Sequence, residues 1–295
     1  MASAVGSGLP LASVEVLASL AQHRLLSTDQ VRAIHRLGVE RRWAQKVLAR
    51  LREAGLAQRV RAPRRGLRIW FATERGHRVA REAGALADVG RVVSAEEALS
   101  QLQAHTIAVN DAAICFMGAA RERGDEFGPL SWSHEVFHPL RAGRDRRRQA
   151  LSADAVLTYL RAEEGRTALE QRFLELDRAT LSVDRLVSEL ARYADLFRAN
   201  DEEGEPLWRA SYPRFPGVLC VLAGASRAAL ERRRAAALAL LRVDSQLART
   251  PEVAISVCLL EDLRESGPFA PIFQTARGPK GDLDWLGRPV GEERR

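Results

Sequence analysis

The hydrophobic period of this 295-residue chain changes near Leu130. Before that point apolar residues recur at helical spacing. After it they alternate or run together, as in strands. A chain built this way folds into a helical first part and an α/β second part.

In the first part, "PLASVEVLASLAQHR" carries Leu11, Val14, Leu17, Leu20 and Ala21 on one helical face. "LSTDQVRAIHRLG" opens on Ser27 or Thr28 as an N-cap, continues through Val31, Ile34 and Leu37, and stops at Gly38. "VERRWAQKVLARLREAG" turns Ala44, Val47, Leu48 and Leu51 inward and closes on Gly55. Its opposite face holds Arg41, Arg42, Gln45 and Lys46. "LAQRVRAP" and "LRIWFATERG" are extended runs joined by the basic turn "PRRG". Three helices and a basic-tipped hairpin describe a winged helix-turn-helix for residues 1–92. The third helix is sized for the major groove, and Arg64, Arg65 and Arg68 serve the wing on the backbone or minor groove. Trp43 and Trp70 are read as packing residues.

Charge agrees with this assignment. Residues 1–91 hold 17 Lys+Arg and 7 Asp+Glu, a net +10 within a whole-chain +7, so the remainder carries −3. A positive field confined to one third of a chain marks a nucleic-acid-binding module joined to something else. No run of about 18 apolar residues is present, which predicts no membrane span. The N-terminus does not read as a signal peptide. Cys115, Cys220 and Cys258 sit in separate apolar runs, reading as buried, reduced thiols of a cytoplasmic protein.

"SAEEALSQLQAHTIAVNDAAICFMGAARERG" reads as one long helix opening on a Ser94/Glu97 capping box. His105, Asn110 and Asp111 interrupt its apolar half and are read as satisfied polar groups rather than a site. "LSWSHEVFHPL", "ADAVLTYL" and "ALEQRFLELD" then form a three-strand meander. "SVDRLVSELARYADLF" is an amphipathic helix, "GVLCVLAG" a buried strand, "SRAALERRRAAALALLR" a helix and "VAISVCLLEDL" a further buried strand. The expected class is α/β (α+β): a winged helix followed by a restriction-endonuclease-like, PD-(D/E)xK, domain over residues 93–276 with a central mixed sheet. Residues 277–295 read as a flexible tail.

In that layout Asp154, Glu175 and Asp177 stand where such a nuclease keeps its catalytic, metal-holding acids. Glu175 and Asp177, two apart on a strand, face the same side. An active site would use Mg²⁺ or Mn²⁺ as cofactor and a cation, normally lysine, to stabilise developing negative charge. Asp177 occupies the lysine position, and the two lysines, Lys46 and Lys280, lie elsewhere. Arg185 and Arg192 are the candidates to balance the acids. The acids are read as a degenerate, ion-paired remnant.

Residues 10–275 resemble the replication-relaxation family of actinobacterial plasmids and mobile elements. The resemblance rests on "LARLREAGL", "HTIAVND", "ADAVL", "LELDRAT" and "LARYADLF", with "GVLCVLAG" and "SRAALERRR". It implies a winged helix plus a nuclease-like domain and a part in plasmid copy control. The chain departs from it at Ala153, where members often have proline, and at Glu189, where they often have lysine. The expected function is a DNA-binding regulator of replication or transcription. Its expected partners are double-stranded DNA, a second copy of the chain as a homodimer, and replication or transfer proteins. The alternative is a Mg²⁺- or Mn²⁺-dependent endonuclease targeted by the winged helix.

Overall fold

The computed structural model describes residues 8–35, 38, 40–61, 67–84, 91–99, 102–141, 150–163, 165–278 and 281–289. The chain forms two compact units. The first comprises residues 1–117 with Gly128–His134, and so takes in more than the expected 1–92. The second comprises Gly118–Phe127 and Glu135–Arg295.

The first unit is a winged helix. Helices α1 (Leu11–His23), α2 (Thr28–His35) and α3 (Arg41–Glu53) precede a sheet of order β1-β3-β2, built from β1 (Leu26–Ser27), β2 (Ala57–Arg61) and β3 (Arg68–Ala72). Ser27 is the cap of α2. Its Oγ accepts from Gln30 N–H at 3.1 Å and its own N–H donates to Gln30 Oε1 at 2.9 Å, a reciprocal capping box. The predicted inward stripe of α3 is buried in full at Ala44, Val47, Leu48 and Leu51. Gly55 (φ +69°) ends the helix as Leu56 N–H returns to Leu51 C=O at 2.9 Å. Trp70 is buried and donates to Thr28 Oγ1 at 3.0 Å, a core role as expected.

Two elements of this unit went unread. Helix α4 (Glu74–Glu82), capped by Thr73, packs on α1. The short strand β1 pairs with β3. The expected single long helix is described as α5 (Ala95–Leu99) and α6 (Leu102–Arg123), and residues 100 and 101 lie outside the described residues. The Ser94/Glu97 capping box does form, at 2.9 and 3.1 Å.

The second unit carries a six-stranded mixed sheet of order β4-β5-β6-β7-β8-β9. Its strands are β4 (Trp132–Pro139), whose first residues belong to the other unit, β5 (Ala150–Glu163), β6 (Arg166–Asp177), β7 (Gly217–Leu222), β8 (Ile255–Leu259) and β9 (Gln274–Thr275). β5 and β6 are antiparallel, β7 and β8 continue parallel to β6, and β9 returns antiparallel. Helices α7 (Val183–Arg198), α8 (Arg227–Val243), α9 (Ser245–Ala248) and α10 (Leu260–Ser266) complete it. The crossovers through α7 and α8 are what parallel pairing of β6, β7 and β8 requires. Val156, Phe173, Cys220, Leu222 and Val257 form one core with Leu190, Tyr193 and Ala194 of α7 and Leu238 and Leu241 of α8. From α6 to β8 the main helices and strands follow the order read from the sequence, while α9, α10, which takes the end of the run read as the last strand, and β9 were not read.

The tail reading needs correction. Leu283 and Trp285 are each 1% exposed, and Trp285 packs beside Tyr159 and Phe269 with the Arg172 guanidinium 5.2 Å from its ring centre. A tryptophan buries too much apolar surface to be left in solvent, and the Gly- and Pro-rich composition around it concealed that anchor. Residues 279, 280 and 290–295 lie outside the described residues. Cys220 and Cys258 are buried free thiols, while Cys115 is only partly buried. Among the described residues no helix is long and apolar enough to cross a membrane.

Candidate nucleic-acid interface and acidic strand site

The geometry of α3 follows from its helical phase. With Ala44, Val47, Leu48 and Leu51 turned into the core, Arg41, Arg42, Gln45 and Lys46 are all exposed. Arg41 Nε pairs with Asp29 of α2 at 3.0 Å. Arg42, Gln45 and Lys46 make no side-chain hydrogen bond or ion pair among the described residues.

The wing adds cations that sequence reading left out. Arg59 and Arg61 of β2 are exposed, and Arg61 stands directly opposite Arg68 of β3. Like charges opposed across two strands repel. Desolvation first, and then Arg52, Arg68 and Arg61, push the Arg59 guanidinium below its usual value. The β-strand period contained this signal, since positions 59 and 61 share a face. Arg64 and Arg65 lie outside the described residues, so the basic surface is defined here by Arg42, Lys46, Arg52, Arg59, Arg61 and Arg68.

The acids lie in the second unit, on the face of the sheet covered by α7 and α8. The register Ala155↔Leu174 brings Asp154 beside Glu175. Asp154 Oδ2 accepts from Leu176 N–H at 2.8 Å, and Tyr193 Oη of α7 donates to Glu175 Oε1. Burial, and then the neighbouring Asp154, push the Glu175 carboxyl well above the usual carboxylate range, partly offset by the Tyr193 hydroxyl.

Asp177 shares their face of β6 but has a different partner. Arg233 of α8 grips it with two bonds, Nε to Oδ2 and Nη2 to Oδ1, the second at 3.0 Å. Oδ1 also accepts from Ala179 N–H at 3.2 Å. The backbone closes in here: Ala223 N–H donates to Asp177 C=O at 2.8 Å, and a Cβ on Gly224 (φ +85°) would lie 2.7 Å from Arg178 O.

The two arginines proposed from sequence do other things. Arg185 pairs with Glu189 at 3.2 Å, and Arg192 donates to Ala150 C=O at 2.9 Å. A divalent ion is commonly held by one or two carboxylates plus water, and Asp177 presents both of its oxygens to a guanidinium, which leaves Asp154 and Glu175 as the available pair. Among the described residues no group of three or more His, Cys, Asp or Glu side chains is placed to hold a metal. Of the remaining pair, Glu175 is engaged by the Tyr193 hydroxyl and Asp154 by the Leu176 N–H.

The "HTIAVND" segment is a structural junction within the first unit. Asn110, fully buried, accepts from Trp132 Nε1 at 3.0 Å and from His134 Nε2 at 2.9 Å, and donates to Leu25 C=O at 2.9 Å. Gln30 of α2 donates to Asp111 Oδ1 at 2.8 Å and to Ile107 C=O at 2.8 Å. His23 stacks on Trp132 with ring centres 3.9 Å apart. These polar residues hold α6 against the start of the winged helix.

Two buried imidazoles make stability pH-dependent. Burial lowers His138 to about 4 and holds His23 well below its usual value. Each folds as the neutral ring, so its contribution is complete above the unfolded value of about 6.5 and is lost as pH falls below it. For His138 the window runs from about 6.5 down to about 4, with a loss of roughly 3 kcal/mol across it. Urea melts of wild type and His138→Gln between those pH values check this. Glutamine keeps a partner for Tyr212 Oη, which lies 2.6 Å from the ring, and should flatten the pH dependence of the second unit.

No curated protein matches the chain. Two solved structures show a partial likeness. The zinc-responsive MarR family member ZitR of Lactococcus lactis is 19% identical over 29% of this chain and 58% of that one, with a TM-score of 0.25. The PcaV transcriptional regulator of Streptomyces coelicolor is 24% identical over 40% and 77%, with a TM-score of 0.26. The chain thus spans little more than half of ZitR, and scores at this level carry no weight in assigning a function. The replication-relaxation family model matches residues 17–206, which include most of the winged helix, the Asn110 junction and all three acids, and the chain belongs to the replication-relaxation family.

Proposed function

We propose that this protein is a cytoplasmic DNA-binding regulator of a plasmid or mobile element, acting in replication control or transcription. The winged helix holds double-stranded DNA, with Arg42, Gln45 and Lys46 of α3 at the major groove and Arg59, Arg61 and Arg68 of the wing on phosphates. The observation that carries this reading is the exposed face of α3, where Arg42 and Lys46 make no ion pair among the described residues, beside a wing in which Arg61 opposes Arg68. A polyanion relieves that repulsion, and counterion release adds affinity. The second unit is a nuclease-like fold whose acids have become structural. It serves dimerisation or contact with replication or transfer proteins, and a dimer would set the spacing of two half-sites.

Binding to a duplex by Arg42→Ala/Lys46→Ala is the test. Each bidentate base contact is worth about 1–3 kcal/mol, so the double variant should bind about 100-fold more weakly. Glu175→Ala should bind like wild type. Metal-dependent cleavage of plasmid DNA, abolished by Asp154→Ala, would replace this reading with the endonuclease.

A further inference from the structure

Outside the winged helix and away from the acids, the second unit contains a cavity of about 700 Å³. It lies where β6 outruns its neighbour. The ladder between β6 and β7 begins only at Arg172↔Gly217, so the earlier residues of β6 face the cavity instead of a strand. The alternation of the β5–β6 hairpin turns Arg161 and Glu163 of β5 and Arg166, Glu170 and Arg172 of β6 to one side. That side is opposite the one bearing Asp154 and Glu175.

Five arginines and two glutamates line this cavity, a net charge of +3. Both glutamates are already committed. Glu163 pairs with Arg161 and Arg166, and Glu170 with Arg161 and Arg172. Asp284, buried nearby, gives Oδ1 to the backbone N–H groups of Leu286 and Arg288, each at 2.9 Å. Arg214 and the Arg288 side chain are exposed, with no ion pair among the described residues. Arg161 is 7% exposed, and its Nε is buried without a hydrogen-bond partner. Desolvation lowers Arg172, with Arg288 adding to the effect. Leu169, 45% exposed, with Pro213 and Phe215, forms an apolar rim, Leu169 reaching it from the opposite face of β6.

A concave site that gathers guanidinium groups beyond its carboxylates is unfavourable until an anion enters, and arginine forks match phosphate oxygens in pairs. The volume lies in the range of small-ligand sites. We infer that this cavity binds closely spaced phosphates, with Arg214 and Arg288 as the clamps. The phosphates belong either to a nucleoside triphosphate or to a DNA strand.

Calorimetric titration of the full chain tests this with three probes: inorganic triphosphate, a nucleoside triphosphate and a single-stranded oligonucleotide. The oligonucleotide arm uses the Arg42→Ala/Lys46→Ala chain, so that α3 does not contribute. Saturable binding is expected, weakened about tenfold or more by Arg214→Ala/Arg288→Ala. Both substitutions are at exposed positions, and circular dichroism establishes that the variant is folded. Binding of either triphosphate with no oligonucleotide binding assigns the site to a free nucleotide. Oligonucleotide binding alone, lost in the same double variant, assigns it to a strand. Absence of saturable binding for all three probes at millimolar concentration, or binding that the double variant leaves intact, overturns the inference.

Discussion

Arg233→Ala should destabilise the second unit by about 3–5 kcal/mol, the usual cost of removing one partner from a buried ion pair. The side chains of Arg233 and Asp177 are 10% and 7% exposed, so water cannot replace the guanidinium. Among the described residues, the abandoned carboxylate would keep only the 3.2 Å bond from Ala179 N–H. Arg233→Met/Asp177→Leu removes both charges and keeps apolar volume. It should recover most of the loss, because apolar replacements of whole buried pairs are often neutral or stabilising. Urea midpoints of the three proteins decide the matter. A single variant within about 1 kcal/mol of wild type would mean that Asp177 is not held as described. The same series bears on chemistry: Arg233→Ala also frees the oxygens of Asp177, and appearance of Mn²⁺ binding only in that variant would show that the guanidinium occupies the place of the metal.

Asn110→Ala should unfold or loosen the first unit, at a cost of roughly 3–6 kcal/mol. Three groups lose a hydrogen bond together: the buried Trp132 indole N–H and Leu25 carbonyl, and the partly buried His134 ring N–H. Each unsatisfied group costs about 1–3 kcal/mol. Asn110→Asp separates the terms. It keeps an acceptor for Trp132 and His134, but it sets a carboxylate oxygen against the Leu25 carbonyl, so it should also be destabilised. Trp132 fluorescence during denaturation reports on the site directly. A fully stable Asn110→Ala protein would remove "HTIAVND" from the structural core and return it to the candidates for function.

Helices α1, α2 and α3 were legible because each carries its own apolar period, and α2 its cap as well. The Ala44–Leu51 stripe, the Ser94/Glu97 box and Gly55 need no tertiary information. Ser27 and Thr28 could not be separated as caps without the bond from Gln30 N–H. The meander and the parallel strands were legible from alternation and from apolar runs. Where distant partners decide, the sequence was silent. Arg233 lies 56 residues beyond Asp177 on another helix, while Arg185 and Arg192, closer in the chain, point to Glu189 and to Ala150 C=O. Trp285 is buried by contacts with Tyr159 and Phe269 that its polar neighbours do not announce. Helix α4 was missed because "ERGHRVARE" is mostly polar and buries only Gly76, His77 and Ala80. Asn110 and Asp111 were correctly weighed as structural, since polar groups inside an apolar helix are ordinarily satisfied there.

The central claim, that the cationic face of α3 and the wing holds duplex DNA, is tested most directly by the salt dependence of binding. Fluorescence anisotropy across a salt series gives log K against log[salt], whose slope falls by about 0.9 for each phosphate contact removed. Removing Arg59, Arg61 and Arg68 together should reduce that slope by roughly 2–3 and weaken all duplexes alike. An unchanged slope and affinity in this triple variant, with the protein folded, would contradict it.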